Sequence, residues 1–128
     1  MSILLVGIGG FIGSIARYKL GGWVVQMAAG QDGRFPFGTF TVNVLGCLIV
    51  GVLAGVMERH DAFGPDARLF LFTGLLGGFT TFSAFGLETM SLIRRGDPGI
   101  AAVYAGASVV LGIAAVWLGF RLVSLLPR

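Results

Sequence analysis

The chain has 128 residues, of which 55% are hydrophobic and 12% charged, with a mean hydropathy of +0.91. Soluble domains carry about 25% charged residues, so this composition excludes an ordinary soluble fold and points to lipid. The net charge of +3 comes from scattered basic residues with no clustered stripe, which argues against a nucleic-acid groove and fits contact with lipid headgroups.

Four apolar segments succeed one another, each with about the 20 residues a helix needs to cross hydrocarbon. The first runs from Ile3 to Ala29 and is interrupted by Arg17 and Lys19. Its start, MSILLVGIGGFIG, lacks a basic leader and a small-residue cleavage site, so it reads as a retained first helix. GIGGFIG is not a dinucleotide fingerprint: the spacing fails at Ile12 and no strand precedes it. Gly9 and Gly13, like Gly51 and Gly55 in the second segment, are small residues four apart, which suits close helix packing. Arg17 would be paired, interior or near an interface. It could concentrate anions at a vestibule, or simply snorkel to headgroups.

The second segment, Phe37 to Met57, is uncharged until Glu58 and carries Asn43 in TFTVNVLG. An amide inside a span must be bonded, so Asn43 faces protein or a pore. Thr39 lies four residues earlier on the same face. Cys47 stands alone, which leaves no intrachain disulfide or cysteine metal cluster. His60, beside Asp61, reads as a solvated loop residue.

The third segment, Ala67 to Ile93, contains GLLGGFTTFSAF at positions 74–85. Gly77 and Gly78 each cost about 1 kcal/mol relative to alanine in a helix interior. Thr80, Thr81 and Ser83 come directly after. This pattern predicts a helix break, since freed backbone groups at membrane depth are tolerated where protein, water or an ion satisfies them. The plainer alternative is a packing notch with threonines bonded back to the i−4 carbonyl. Phe79, Phe82 and Phe85 recur every three residues, and Glu88 lies a further three on. Aromatic rings have positive edges, so hydroxyls interleaved with rings could pass an anion.

The fourth segment runs from Gly99 to Leu126, with Pro98 fitting its start. Tyr104 and Ser108 are four apart and could line the same path or bond between helices. The connections GQDGRFP, ERHDAFGPDAR and RRGDPG carry turn chemistry. Four spans put both termini on one side, with Arg59, Arg68, Arg121 and Arg128. Arg34, Arg94 and Arg95 fall on the other side. The near balance gives no firm orientation. It fits one weakly biased topology, or two copies inserted in opposite senses and paired antiparallel. No metal-ligand spacing, nucleophile–base pair or phosphate loop occurs, which argues against an enzyme.

GGFIGSIARY (9–18), FPFGTFTVNVLG (35–46) and GLLGGFTTFSAFGLE (74–88) together resemble the small fluoride channels called Fluc, or CrcB. The resemblance covers essentially the whole chain, and the third motif is the most specific. Cys47 stands where a serine is common and Ala84 where a threonine is common; neither removes a proposed pore group. The resemblance implies a single all-α domain over 1–128, with four transmembrane helices and a break in helix three. It implies an antiparallel, dual-topology homodimer in a bacterial inner membrane that exports fluoride passively. Phe82, Phe85 and Asn43 would line the fluoride pathway, with Thr39, Ser83, Tyr104, Ser108 and Glu88 as further candidates and Arg17 at a vestibule or pathway end. A structural sodium ion (Na+) at the dimer centre would be held by main-chain carbonyls around Gly77 and Thr80. One rival is a small proton-coupled exporter of cationic drugs, for which Glu88 is the one membrane carboxylate on offer. Another is a non-transporting assembly subunit whose polar residues glue helices together.

Overall fold

A computed structural model describes residues 1–31 and 33–127. Asp32 of the first connection and Arg128 of the charge comparison lie outside the described residues. The described chain is helical, and four helical stretches are long and apolar enough to cross a membrane: Ser2–Met27, Phe37–His60, Pro65–Arg94 and Pro98–Ser124. Their ends lie close to those of the four apolar segments, with the second running on through Glu58 and Arg59 to His60.

The first span is α1, Ser2–Met27. The second is α2, Phe37–His60. Pro36, with φ −80° and ψ 68°, centres an inverse γ-turn in which the Phe37 N–H donates to the Phe35 carbonyl at 2.9 Å. The chain leaves α2 through Asp61 in the left-handed region, φ 45°. The third span is composite. A short α3, Pro65–Arg68, runs into a π-helix, Leu69–Leu76, and then a single turn, α4, Gly77–Phe79. After Thr80 and Thr81 the span resumes as α5, Phe82–Arg94. Gly96, at φ +86°, turns the chain into α6, Pro98–Ser124, whose first turn carries Pro98.

The spans pack as two pairs. α2 lies along α6, and α1 lies along the π-helix and α4. Both seams are backbone against backbone. A Cβ added at Gly78 would sit 2.5 Å from the Gly10 carbonyl oxygen, and one at Gly119 would sit 2.6 Å from the Leu48 carbonyl oxygen. Gly9, Gly13, Gly51 and Gly55 are all buried in these seams. Without a hydrophobic drive between helices in lipid, such close van der Waals contact is what holds spans together. Large side chains are turned outward: Ile3, Leu4, Phe11, Trp117 and others are exposed, as a lipid-facing surface requires.

Arg59, one of the basic residues on the side of the termini, closes the end of α6. Its Nη1 donates to the carbonyls of Val123 at 3.0 Å and Ser124 at 2.7 Å, and its Nη2 to that of Leu126. A guanidinium on the last carbonyls also meets the negative end of the helix dipole. At the other end of the bundle, Arg34 bridges to Asp97 at 3.3 Å.

Because neither seam has room for a methyl group, Gly119→Ala should destabilise the fold by about 1–3 kcal/mol through overpacking. Gly22→Ala, where a Cβ meets nothing within 4 Å, should be neutral or gain up to about 1 kcal/mol. Thermal unfolding in detergent checks the pair. Equal midpoints for wild type and Gly119→Ala would contradict the packing argument.

Candidate functional site

The site is built where the third span leaves helical geometry. Thr80 has φ −87° and ψ 158°, and Thr81 has φ −151° and ψ 115°. Both are extended. Thr80 stays tied to the preceding turn: its N–H and its Oγ1 each donate to the Leu76 carbonyl at 2.9 Å. Thr81 belongs to the next helix. Its Oγ1 accepts the Ala84 N–H at 3.2 Å and so caps α5.

The backbone of Thr81 is paired by a side chain from α2. The Thr81 N–H donates to Asn43 Oδ1 at 2.8 Å, and Asn43 Nδ2 donates to the Thr81 carbonyl at 2.9 Å. The carboxamide thus stands in for a neighbouring peptide. In a continuous helix the Thr81 N–H would bond the Gly77 carbonyl; here it is diverted. Gly46, one turn beyond Asn43, lets α2 come this close: a Cβ there would collide with the Thr80 methyl group and sit 3.4 Å from the Phe79 ring.

The three phenylalanines of the motif do not act together. Phe79 is buried, with its ring against Gly46 of α2. Phe82 and Phe85 form a pair, with centroids 5.4 Å apart and planes at 37°, and Phe82 is 83% exposed. The extended threonines rotate α5 so that the three-residue spacing no longer stacks Phe79 with the others. Phe85 in turn touches Tyr104 at 5.2 Å.

Tyr104 is fully buried, and its hydroxyl donates to Glu88 Oε2 at 2.7 Å. Thr39 Oγ1 donates to Glu88 Oε1 at 2.6 Å. Both carboxylate oxygens are therefore engaged by hydroxyl donors, one from α2 and one from α6.

Two cavities flank this core. A groove of about 470 Å³ between α2, the third span and α6 is lined by Asn43, Thr80, Thr81, Phe82, Phe85 and Ser108, with Gly77 and Cys47 beside them. A smaller cleft of about 330 Å³ is lined by Arg17, Thr39, Thr81 and Glu88. Thr81 borders both. Ser83 lines neither; it is exposed and lies 3.3 Å from the Thr81 hydroxyl. Of the residues singled out by sequence, the groove collects Asn43, Phe82, Phe85, Ser108, Gly77 and Thr80. The cleft collects Arg17, Thr39 and Glu88, and Tyr104 sits in the wall.

Thr81 and Phe35 join the site without having stood out as pathway residues in the sequence. The signal for Thr81 is its place at the start of a new helix, a capping position. Phe35 packs on Tyr104 at 5.5 Å; its signal is the cluster of rings in FPFGTF just before α2. Among the described residues no three His, Cys, Asp or Glu side chains gather in a way that could hold a metal. The oxygen-rich feature is the carbonyl end of α4, where the Gly77 carbonyl has lost its helical donor to Asn43.

The carboxamide should be what keeps Thr81 paired. Asn43→Ala leaves two backbone groups unsatisfied, each costing about 1–3 kcal/mol, and should speed hydrogen exchange at the Thr81 amide. Asn43→Asp retains the acceptor and should keep that amide protected. Equal exchange in Asn43→Ala and wild type would refute the pairing.

The chain matches the sequence model of a family described as CrcB-like protein, Camphor Resistance (CrcB), over residues 4–120. It is 54% identical over 123 residues to the fluoride-specific ion channel FluC of Methylobacillus flagellatus, covering 96% of this chain and 94% of that one. It is 50% identical over 117 residues to the protein of the same name from Nitratidesulfovibrio vulgaris, covering 91% and 92%. A third, from Acidobacterium capsulatum, is 43% identical over 119 residues and 93% of each chain. With four apolar spans and relatives matched along nearly their whole length, this multi-pass membrane protein belongs to the CrcB family.

Proposed function

We propose that the chain is a passive, fluoride-selective channel of the bacterial inner membrane, working as an antiparallel homodimer of four-span subunits inserted in both orientations. The observation that carries this reading is the groove in which the exposed Phe82 ring and the half-buried Phe85 ring stand beside an asparagine fixed on extended backbone. The near balance of arginines between the two sides favours dual insertion. A second copy packed over the groove would close it. The relatives bear the name of a fluoride channel.

Fluoride is small and strongly hydrated, so the barrier to be lowered is dehydration. Asn43 has two N–H donors and uses one on Thr81; the other remains for an anion in the groove. Ring edges of Phe82 and Phe85 add weak positive potential. Weak donors in series bind an ion enough to admit it and too little to trap it. Fluoride that entered an acidified cell as neutral HF would ionise inside, and such a path would return it down its gradient.

The carbonyl end of α4 fits a structural sodium ion. Hard oxygen donors suit a hard cation, and the Gly77 carbonyl has given up its helical donor, with the Thr80 carbonyl as the second donor of this reading. Their part would be to hold the ion and neutralise a helix end.

The exporter reading has less support. Glu88 is held at both oxygens by Tyr104 and Thr39, which suits a fixed structural charge better than a proton carrier.

The decisive experiment is fluoride efflux from liposomes holding the purified protein, with chloride-loaded liposomes alongside. Rapid loss of fluoride without chloride is expected, and Phe82→Ala should slow it at least about tenfold, about 1.4 kcal/mol of barrier. No flux from a folded dimer overturns the channel. Glu88→Gln abolishing transport while Phe82→Ala is harmless would hand the assignment to the exporter. Sodium should raise the thermal midpoint over N-methylglucamine, by about 2.7 kcal/mol of stability at a hundredfold excess over Kd; identical melts in both would remove the ion.

A further inference from the structure

The Phe82–Phe85 pair does not end the run of rings. Phe85 touches Tyr104 at 5.2 Å, Tyr104 touches Phe35 at 5.5 Å, and Phe35 touches Phe37 at 4.7 Å. The line leaves the groove at Phe85 and emerges in a separate open cleft of about 660 Å³ at the end of the bundle. That cleft is lined by Gln31, Arg34, Phe35 and Phe37 from the α1–α2 connection and the start of α2, and by Ile100 and Val103 from α6. One helix, α6, runs on from the cleft to the groove: Ile100 and Val103 line the cleft, and Ser108 and Val109 the groove. Tyr104 is the one ring that touches both the groove-lining Phe85 and the cleft-lining Phe35.

Phe35 is held where it can serve such a path. The γ-turn at Pro36 sets its backbone, and Phe40 packs on it near-perpendicularly at 5.4 Å. It is half-buried, with Tyr104 on one side and the cleft on the other. The planes of Phe35 and Phe37 meet at 47° and those of Phe85 and Tyr104 at 51°. Neither pair is stacked face to face, so ring edges, the positive part of an aromatic, take part in the contacts along the line. Arg34 stands at the rim in its bridge with Asp97, which fixes the guanidinium at the opening.

We propose that the anion path, once past Phe85 and Tyr104, runs on to Phe35 and opens at the cleft bordered by Gln31 and Arg34. This rests on the channel reading above. It makes Phe35 a further pathway residue and the cleft the mouth through which a small hydrated anion enters or leaves.

A mouth is tested by charge. Gln31 is exposed at the rim, so its substitution leaves the core packing alone. In fluoride efflux at low ionic strength, Gln31→Glu should slow the flux about threefold, the size of one unit charge acting about 6 Å away through water. Gln31→Lys should not slow it, and the difference should shrink in high salt. Phe35→Ala should lower flux at least about tenfold while the protein elutes as wild type. If Phe35→Ala fails to fold, the charge pair decides alone. Equal rates for the Glu and Lys variants overturn the proposal, as does wild-type flux from a folded Phe35→Ala. Those results with an active wild type and a slowed Phe82→Ala would sink this extension and leave the channel standing; an inactive wild type would sink the channel itself.

Discussion

No water reaches a peptide group in hydrocarbon, so each one must be paired within the protein. The two bonds between Asn43 and Thr81 meet that demand at the one place where a span leaves helical geometry. A carboxamide is suited because it carries a donor and an acceptor side by side, as a peptide does. The consequences spread from there. α5 can start afresh with its own cap, which turns Phe82 and Phe85 away from Phe79. The Gly77 carbonyl is released, giving α4 an oxygen-rich end. α2 is pinned against the interruption, and Thr39 on the same face then reaches Glu88.

Glycine seams decide what remains open. Because α1 meets the π-helix and α2 meets α6 at backbone distance, each pair is tight and few large side chains lie between its members. The bulk that would fill a soluble core is turned outward, and the buried apolar residues are few: Val42, Leu76, Phe79, Leu92, Ala101, Tyr104 and Val123. The two pairs meet closely where Gly38 of α2 lies against Gly21 of α1 and leave a groove between α2, the third span and α6. The groove is thus a result of where the small residues fall, and Asn43, Phe82 and Ser108 line it because they lie on the faces the seams do not use.

Much of this is legible in the sequence. Span positions come from apolar length and from Pro and Gly at the ends, both local properties. The oddness of GLLGGFTTFSAF is legible as well, since paired glycines ahead of hydroxyls are poor helix material. Both readings of those threonines have a counterpart, for Thr80 bonds back to Leu76 while Thr81 departs. What sequence cannot supply is which partner answers which group. That Asn43 meets Thr81, or that Thr39 and Tyr104 converge on Glu88, depends on contacts 38, 49 and 16 residues apart in the chain. The π-helix has no local signature either: LFLFTGLL is plain apolar sequence, and its winding reflects packing on α1. Phe35 escapes notice because a phenylalanine beside a proline reads as a loop residue until Tyr104 is seen against it.

A glutamate beside an anion path looks like a fault, since like charges repel. The bonding suggests the reverse. Glu88 draws the hydroxyl hydrogens of Thr39 and Tyr104 toward itself through charge-assisted bonds. On the proposed reading, a fluoride arriving at Tyr104 competes with a carboxylate for the same O–H. Both are hard, strongly accepting anions, so the bond Glu88 gives up offsets much of the bond fluoride gains. That is the condition for an ion to pass without being held. Chloride, larger and a weaker acceptor, would lose the contest and leave the hydroxyl with Glu88. A donor set committed to a resident carboxylate would then discriminate by acceptor strength as well as by width, and removing the carboxylate would strengthen binding at the cost of passage.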